Sequence, residues 1–437
     1  MSKSENLLAV IHLSATAVYV VVGDVVAVND IRIKGVGRVS NEDFQQGQIK
    51  HFDRLKSAIR QAITEAEEMA NCRIHSAWLT LSTPELKSYN VSGVVELDPL
   101  NDEDTVEIRH IVNALTKAKE GVLQSTHYLM HHCQQGILLD DQANMVDDAI
   151  GMHACKVNVM YHLMMMPVAS RQNIQKLIQA CDVSIDHVLF DAVSIAEYGL
   201  SKEDRQQGVC LIDIGASTTS VCIYCDNKLV FTYCIEEGGH KVTMDISAEL
   251  GITMAAAEKL KIEQGTVDVN SADPGRFFTA PNTGTDEDEG VTLSPLELAQ
   301  IIEARYIELY RIIFQKLSDE GLMDYLQGGV ILAGGGSQIS GMISFSKRLL
   351  NMPVHFITPH AAITAYNYFD ENDDKFKALN RWVANRSLQT SFGALLYSQS
   401  EQFKYSEKGS PEALEANKLS MFQAWRLKIS NFFNNIL

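Results

Sequence analysis

The chain has 437 residues, 46% hydrophobic and 21% charged, a balance ordinary for a soluble globular protein with room for two to four domains. A net charge of −18 leaves no overall basic footprint and excludes nucleic acid as the main partner. No uncharged apolar run reaches about 18 residues, and the opening MSKSENLLAV lacks the apolar stretch and cleavage site of a secretion signal, so a cytoplasmic chain is expected.

In chain order, residues 7–35 predict a strand, a small-residue turn, a strand and a further strand, with Val10-Ile11-His12-Leu13-Ser14-Ala15-Thr16 leading into the turn. Residues 52–71 set Leu55, Ile59, Ala62, Ile63, Ala66 and Met69 on one helix face. Ile74–Ser82 reads as a strand. Residues 83–160 then carry elements of their own, including Val91–Leu97, Val106–Ala118 and Met152–Met160, enough for a small inserted domain. Met164, Met165 and Met166 continue a strand ending at Pro167, where strand core is favoured over a methionine-rich binding surface. An amphipathic helix over 170–182 and a buried strand, Val188-Leu189-Phe190, lead to Asp191.

Residues 208–220 are the centre of the pattern. Val209–Ile212 forms a buried strand carrying Asp213 at its end; Gly215, Ala216 and Ser217 allow a tight turn with Thr218; and strands follow at Val221–Tyr224 and Leu229–Tyr233. A small turn rich in N–H and hydroxyl groups wraps donors around a phosphate, and an acid beside it holds Mg²⁺ through water or orients an attacking water. An ordinary hairpin with an acid at a strand end has the same sequence. The plan repeats that of residues 10–16 after roughly 200 residues, predicting two domains of similar fold with a ligand in the cleft between them.

Gly238 and Gly239 precede a helix whose first turn offers N–H groups to phosphate, although capping alone explains the pattern equally well. Glu258 and Lys261 are an i, i+3 pair of the kind usual on a solvated helix face. Residues 271–292 read as a loop, and its acidic cluster Asp286–Glu289 lacks EF-hand spacing. Leu296–Leu317 is a long helix bearing Glu303, Arg305 and Tyr306. In Gly329–Ile339 a buried strand runs into Gly334, Gly335 and Gly336, followed by Ser337, and then opens a helix; three glycines let backbone approach a flat base or a phosphate. Gly393-Ala-Leu-Leu closes the folded region. All eight cysteines are expected as buried reduced thiols, since Cys222 and Cys225 on one strand face opposite sides of a sheet.

Residues 398–417 are polar and read as a linker. Beyond it, at roughly 100° per residue, Met421, Phe422, Trp425, Ile429, Phe432, Phe433 and Ile436 fall within an arc of about 120°. Arg426 and Lys428 flank that arc, and from Lys418 there are three cations and no acid. Large aromatics with flanking cations describe an in-plane anchor on anionic lipid, with a docked terminal helix or coiled-coil partner as the alternatives.

Taken together, the chain resembles the actin/Hsp70/sugar-kinase ATP-binding superfamily and, more closely, the FtsA family of bacterial cell-division proteins. Gly208–Gly215 is similar to that superfamily's second phosphate motif and Gly329–Ser337 to its adenosine motif. Gly239–Ile246 and Ala257–Lys261 are similar to further nucleotide-side segments, the insertion sits where FtsA carries its own domain, and the tail is similar to a membrane-targeting helix. The resemblance implies an α/β, actin-like two-lobed fold with duplicated ribonuclease-H-like domains, an inserted small α+β domain and a C-terminal amphipathic helix. The implied segments are 1–82, 161–200 (first lobe), 83–160 (insertion), 201–243 and 328–397 (second lobe core), 244–327 (its small subdomain), 398–417 (linker) and 418–437 (membrane helix). The implied ATP contacts are Asp213, Gly215, Ala216, Ser217, Thr218, Gly239, Thr243, Glu258, Lys261, Gly334, Gly335, Gly336 and Ser337, with Asp213 also the Mg²⁺-side and catalytic candidate. Implied partners are the C-terminal peptide of the ring protein FtsZ, with Arg305 in the docking segment, a second copy of the chain in a protofilament, later division proteins, and the cytoplasmic face of the inner membrane at the division site. An active ATPase and a pilus-assembly relative are the alternatives.

The first phosphate motif departs from the family. His12 stands for the acid, Ser14 for a glycine and Ala17 for the base, and Ala216 and Ser217 replace two glycines of the second motif. Charge-assisted hydrogen bonds of the lost kind are worth roughly 1.5–3 kcal/mol each. The expectation is ATP held through Asp213 and the adenosine-side glycines, with weak or absent hydrolysis.

Overall fold

A computed structural model describes residues 6–97, 105–122, 126–140, 142, 144–273, 275, 277–280, 291–367, 374–400 and 403. Expectations for Asp286–Glu289 and for the amphipathic tail from Lys418 lie outside them. The described residues divide into two compact units, one drawn from 6–87 and 165–396, the other from 88–164 with 397–400 and 403.

The first unit is built on two sheets of like plan. One orders its strands Ser184–Phe190, Ser76–Leu81, Leu7–Leu13, Ala17–Ala27, Asp30–Ser40 and Ile363–Ala365; the other runs Lys228–Ile235, Thr219–Cys225, Val209–Ile214, Val330–Ala333 and Val354–Phe356. In each, a central strand pairs antiparallel with the next strand of a hairpin and parallel with a later strand: Leu7–Leu13 with Ala17–Ala27 and Ser76–Leu81, Val209–Ile214 with Thr219–Cys225 and Val330–Ala333. Their near-continuous apolar sequences follow from burial on both faces, and Val209, Cys210, Leu211 and Ile212 are fully buried. His12 and Asp213 occupy the same position, one residue before the end of the central strand.

Helices cover the sheets where glycines let them approach. A Cβ at Gly37 would stand 1.8 Å from the Ala62 carbonyl oxygen, and one at Gly35 2.3 Å from that of Ala66, so the helix Phe52–Ala70 lies directly on the strand Asp30–Ser40. On the second sheet the helix Pro295–Asp319 starts at a capping box of Ser294 and Glu297 and buries Leu298, Ile302, Tyr306, Leu309, Ile313 and Leu317 at helical spacing.

The second unit has a three-stranded sheet with Lys156–Pro167 between Lys87–Glu96 and His127–Leu139, covered by the helix Ile108–Glu120. Gly93 admits that helix, since a Cβ there would lie 1.8 Å from the Ala114 carbonyl oxygen. Burial, then Lys119, pulls His132 down to about 4, and burial pulls His162 down to about 3, so both are neutral structural groups. Met164, Met165 and Met166 are core.

Three local expectations are corrected and one unforeseen strand is added. The strand expected from Met152 begins at Lys156, because residues 151–155 form a turn and a bridge. The glycine run opens a four-residue 3-10 turn, Gly335–Gln338, and the helix starts only at Met342. The expectation of eight buried thiols fails at Cys155, which is exposed, and at Cys72 and Cys225, which are half-buried at element ends. The strand Ile363–Ala365 was not expected; it joins the edge of the first sheet by pairing parallel with Asp30–Ser40.

Candidate functional site

The turns after His12 and Asp213 open onto one cleft of about 890 Å³ in the first unit. Parallel strands bring their carboxyl ends together there, the usual ligand edge of an α/β sheet.

At the first turn the Ser14 hydroxyl donates to the Ala17 carbonyl (2.9 Å) and accepts from the amides of Ala17 (3.2 Å) and Thr16 (3.4 Å). The turn therefore spends on itself the amides that a glycine would leave to a ligand. His12 is buried, stacks on Tyr19 with ring centroids 5.7 Å apart, and sets Nε2 3.7 Å from Asp191 Oδ2. The Ser82 hydroxyl donates to the same Asp191 oxygen at 2.8 Å.

At the second turn the Gly215 amide donates to the Thr218 carbonyl (2.9 Å). The carbonyls of Gly215 and Ala216 accept from the amides of Gly239 (2.9 Å) and His240 (2.8 Å). The helix Gly239–Leu250 therefore uses its leading N–H groups to clamp this turn, which corrects the expectation that they meet phosphate. Gly238 is required by the closeness of that clamp, as a Cβ would lie 2.7 Å from both carbonyl oxygens.

Asp213 is pushed up to about 7, first by burial and then by the Asp191 carboxylate, with His12 opposing. Two carboxylates that repel each other beside a cleft suit a cation, so the residues present fit Mg²⁺ held through Asp213. Among the described residues no cluster of three or more metal-ligating side chains exists, which leaves phosphate and water to complete any coordination sphere.

The expected adenosine side separates into contacting and supporting groups. Gly334 has φ of 81°, and a Cβ on it would lie 2.4 Å from Asp213 Oδ1, whereas a Cβ on Gly335 would meet nothing within 4 Å. Gly335 therefore faces open space, while Gly334 and Gly336 are glycines because the neighbouring hairpin packs on them. Lys261 Nζ reaches inward to Glu258 (2.6 Å), Thr243 Oγ1 (2.9 Å) and the Gly239 carbonyl (3.1 Å), correcting its reading as a solvated face. Burial pushes Glu258 up, but hydrogen bonds from Lys261 and Thr243 outweigh it and leave the carboxyl below its usual range. Thr243 and Ser337 do not line the cleft: both are buried, and the Ser337 hydroxyl donates to the Gly334 carbonyl at 2.8 Å.

Arg305 is outside the cleft. It forms two bonds with Asp245 (2.5 and 2.8 Å) and one with Glu308 (2.8 Å), with Glu237 at 3.7 Å. An acidic peptide would have to compete with three carboxylates for it. Arg305→Ala is expected to cost about 1–2 kcal/mol, because those acids lose their shared cation; a urea melt checks it, and an unchanged midpoint would mean water serves them equally well.

Sequence reasoning missed Asp191, Ser82, Tyr306 and Arg386 as site residues. Tyr306 donates from its hydroxyl to the Gly336 carbonyl at 2.5 Å, and Arg386 borders the cleft while bonding Gln338. Only Asp191 had a local signal, an acid directly after a buried strand.

The family model described as cell division protein FtsA matches residues 210–378. Cell division protein FtsA of Pseudomonas aeruginosa is 26% identical over 429 residues, covering 98% of this chain and 97% of that relative. The namesake from Buchnera aphidicola of Schizaphis graminum is 28% identical over 99% of both chains, and that of Escherichia coli K12 26% identical over 81% of this chain and 84% of its own. The chain is FtsA-like. Solved structures give the fold independently of sequence. A PilM-PilN type IV pilus biogenesis complex superposes with TM-score 0.61 at 14% identity, covering 90% of this chain and 98% of that one. MreB5 of Spiroplasma citri bound to AMPPNP gives 0.51 at 11%, covering 81% and 92%. The FtsA-like chain thus has an actin-like α/β fold, and the family-model match covers one side of its cleft, since the second turn and the glycine run lie inside residues 210–378 while the first turn, Ser82 and Asp191 lie outside them. No described helix is long and apolar enough to cross a membrane.

Proposed function

We propose that this FtsA-like chain is an actin-like division scaffold that takes ATP with Mg²⁺ in the cleft as a structural ligand. On this reading it assembles with copies of itself, docks the C-terminal peptide of FtsZ, recruits later division proteins and lies peripherally on the cytoplasmic face of the inner membrane. The tether is the sequence 418–437, with Met421, Phe422, Trp425, Ile429, Phe432, Phe433 and Ile436 on its apolar arc and Arg426 and Lys428 toward anionic headgroups.

The observation that carries the reading is the contrast between the two ends of the cleft. Ser14 satisfies the first phosphate turn from within, while Gly335 stands open on the other side. A nucleotide held mainly from the second half would bind without the donor set that drives hydrolysis. That an actin-like neighbour was solved with AMPPNP agrees with this class of ligand. When bound, Mg²⁺ would neutralise phosphate charge; Asp213 would hold its water shell and Lys261 and Glu258 would brace the nucleotide side.

A second reading is favoured by one feature: a carboxylate pushed up to about 7 is in the range useful to a general base. Calorimetric titration with Mg-ATP alongside phosphate release separates the two. Micromolar binding without turnover is expected, and turnover near one per second or faster, an ordinary enzyme rate, would overturn the scaffold reading. Removing residues 418–437 should abolish co-sedimentation with anionic vesicles and leave ATP binding intact; retained sedimentation would remove the tether.

A further inference from the structure

At the floor of the cleft a buried polar chain crosses from one half of the first unit to the other. The Ser82 hydroxyl, at the end of the first sheet's strand Ser76–Leu81, lies 2.8 Å from Asp191 Oδ2 and 2.7 Å from the Ser220 hydroxyl on the second sheet's hairpin. Ser220 in turn lies 3.7 Å from Cys234 Sγ. All four side chains are buried. Ser82 has one hydroxyl proton and gives it to the carboxylate, so the Ser220 hydroxyl is the donor across the gap to Ser82. Burial keeps the Cys234 thiol protonated by pushing its pKa up. The chain thus runs in one direction from the second half to the carboxylate of the first. Only the Ser82–Ser220 link crosses between the halves, the Ser82–Asp191 link lying within the first and the Ser220–Cys234 link within the second, so separating them breaks that one buried hydrogen bond and leaves the Ser220 donor unpaired.

A different contact bridges the rim. The Gln46 amide, in a turn where Gln46 and Gly47 have φ of 54° and 75°, donates to Ser217 Oγ at 3.1 Å, and Gln45 Nε2 donates to the Ala15 carbonyl at 2.8 Å. Ser217 borders the cleft, so a ligand phosphate competes for its hydroxyl; Ser82 and Asp191 border it too, whereas Ser220, the donor of the crossing bond at the floor, does not.

We propose that Ser82, Ser220 and Asp191 form a latch between the halves, so that opening the cleft requires breaking this one chain while the rim strap yields to ligand. The part of this that concerns nucleotide release rests on the proposed function; the latch itself does not.

Hydrogen exchange read by mass spectrometry on the full-length protein tests it without nucleotide. Ser220→Ala should speed exchange about 5–10-fold across the cleft, in peptides containing Ser82 and Asp191, as expected for one lost hydrogen bond. Ser82→Ala should do the same to peptides containing Ser220, and the double variant should be no faster than either single one, because both break the same chain. Ser346→Ala removes an equally buried hydroxyl, paired with Tyr310 at 2.7 Å in the second half alone, and should leave the Ser82 and Asp191 peptides unchanged. Additive effects in the double variant, or an equal response to Ser346→Ala, would overturn the latch. A second arm follows release of methylanthraniloyl-ATP, expected to be several-fold faster in both single variants; unchanged release with faster exchange would overturn the requirement that the latch break for opening. If the analogue fails to bind the natural protein, the nucleotide reading falls and the exchange data still decide the latch.

Discussion

Replacing Asp213 with asparagine is expected to stabilise the protein at pH 8 and to change its stability little at pH 4. The carboxyl is raised from an ordinary value of 3.8 to about 7, so the folded state holds its proton more tightly than the unfolded chain. Its contribution to stability is complete below the unfolded value and is lost as pH rises through the folded one, a window from about pH 4 to about pH 7. At roughly 1.4 kcal/mol per unit, the natural protein gives up to about 4 kcal/mol across that window. Asparagine has nothing to titrate and should escape the loss. Urea or thermal melts of both proteins from pH 4 to pH 8 measure it, and Mg-ATP should narrow the gap by supplying the natural carboxylate with a cation. An asparagine variant less stable than the natural protein at pH 8 would mean that Asp213 already has a compensating partner, and the argument for a cation there would fall. The expected outcome is that of a residue kept for a ligand at a cost to the empty fold.

The glycine run should split into a structural member and a functional one. Gly334 has φ of 81° and ψ of 162°, a region essentially closed to other residues, and a Cβ would lie 2.4 Å from both Asp213 Oδ1 and the Ile214 carbonyl oxygen. Gly334→Ala is therefore expected to cost about 3 kcal/mol or more from backbone strain and overpacking together. Gly335→Ala meets open space and should stay within about 0.5 kcal/mol of the natural stability. If nucleotide passes over this turn, the same methyl group should weaken Mg-ATP binding by about tenfold or more, since it stands where only backbone fits. Calorimetry and a denaturation curve on the two variants give both numbers. Full affinity in Gly335→Ala would move the ligand away from the turn, and a stable Gly334→Ala would show that the hairpin gives way.

The sequence by itself determined the central strands, the two small-residue turns, the long helix from Pro295 and the glycine run. These rest on local rules: apolar runs for strands buried on both faces, helical spacing of side chains, and a capping box written in four consecutive residues. It also made the altered first turn legible, because Ser14 and Ala17 act on their own neighbours. What the tertiary structure alone decided is which polar groups are free. Ser82 meets Asp191 across 109 positions and Ser220 across 138; Arg305 meets Asp245 across 60. No local pattern encodes such separations. Lys261 has the spacing of a solvated pair and turns inward only because the helix Gly239–Leu250 offers it a carbonyl and a hydroxyl. The helix amides looked available to phosphate until packing set the Gly215 and Ala216 carbonyls against them. Donors and acceptors are named by sequence, but their partners are chosen by whichever distant group the fold brings within about 3 Å.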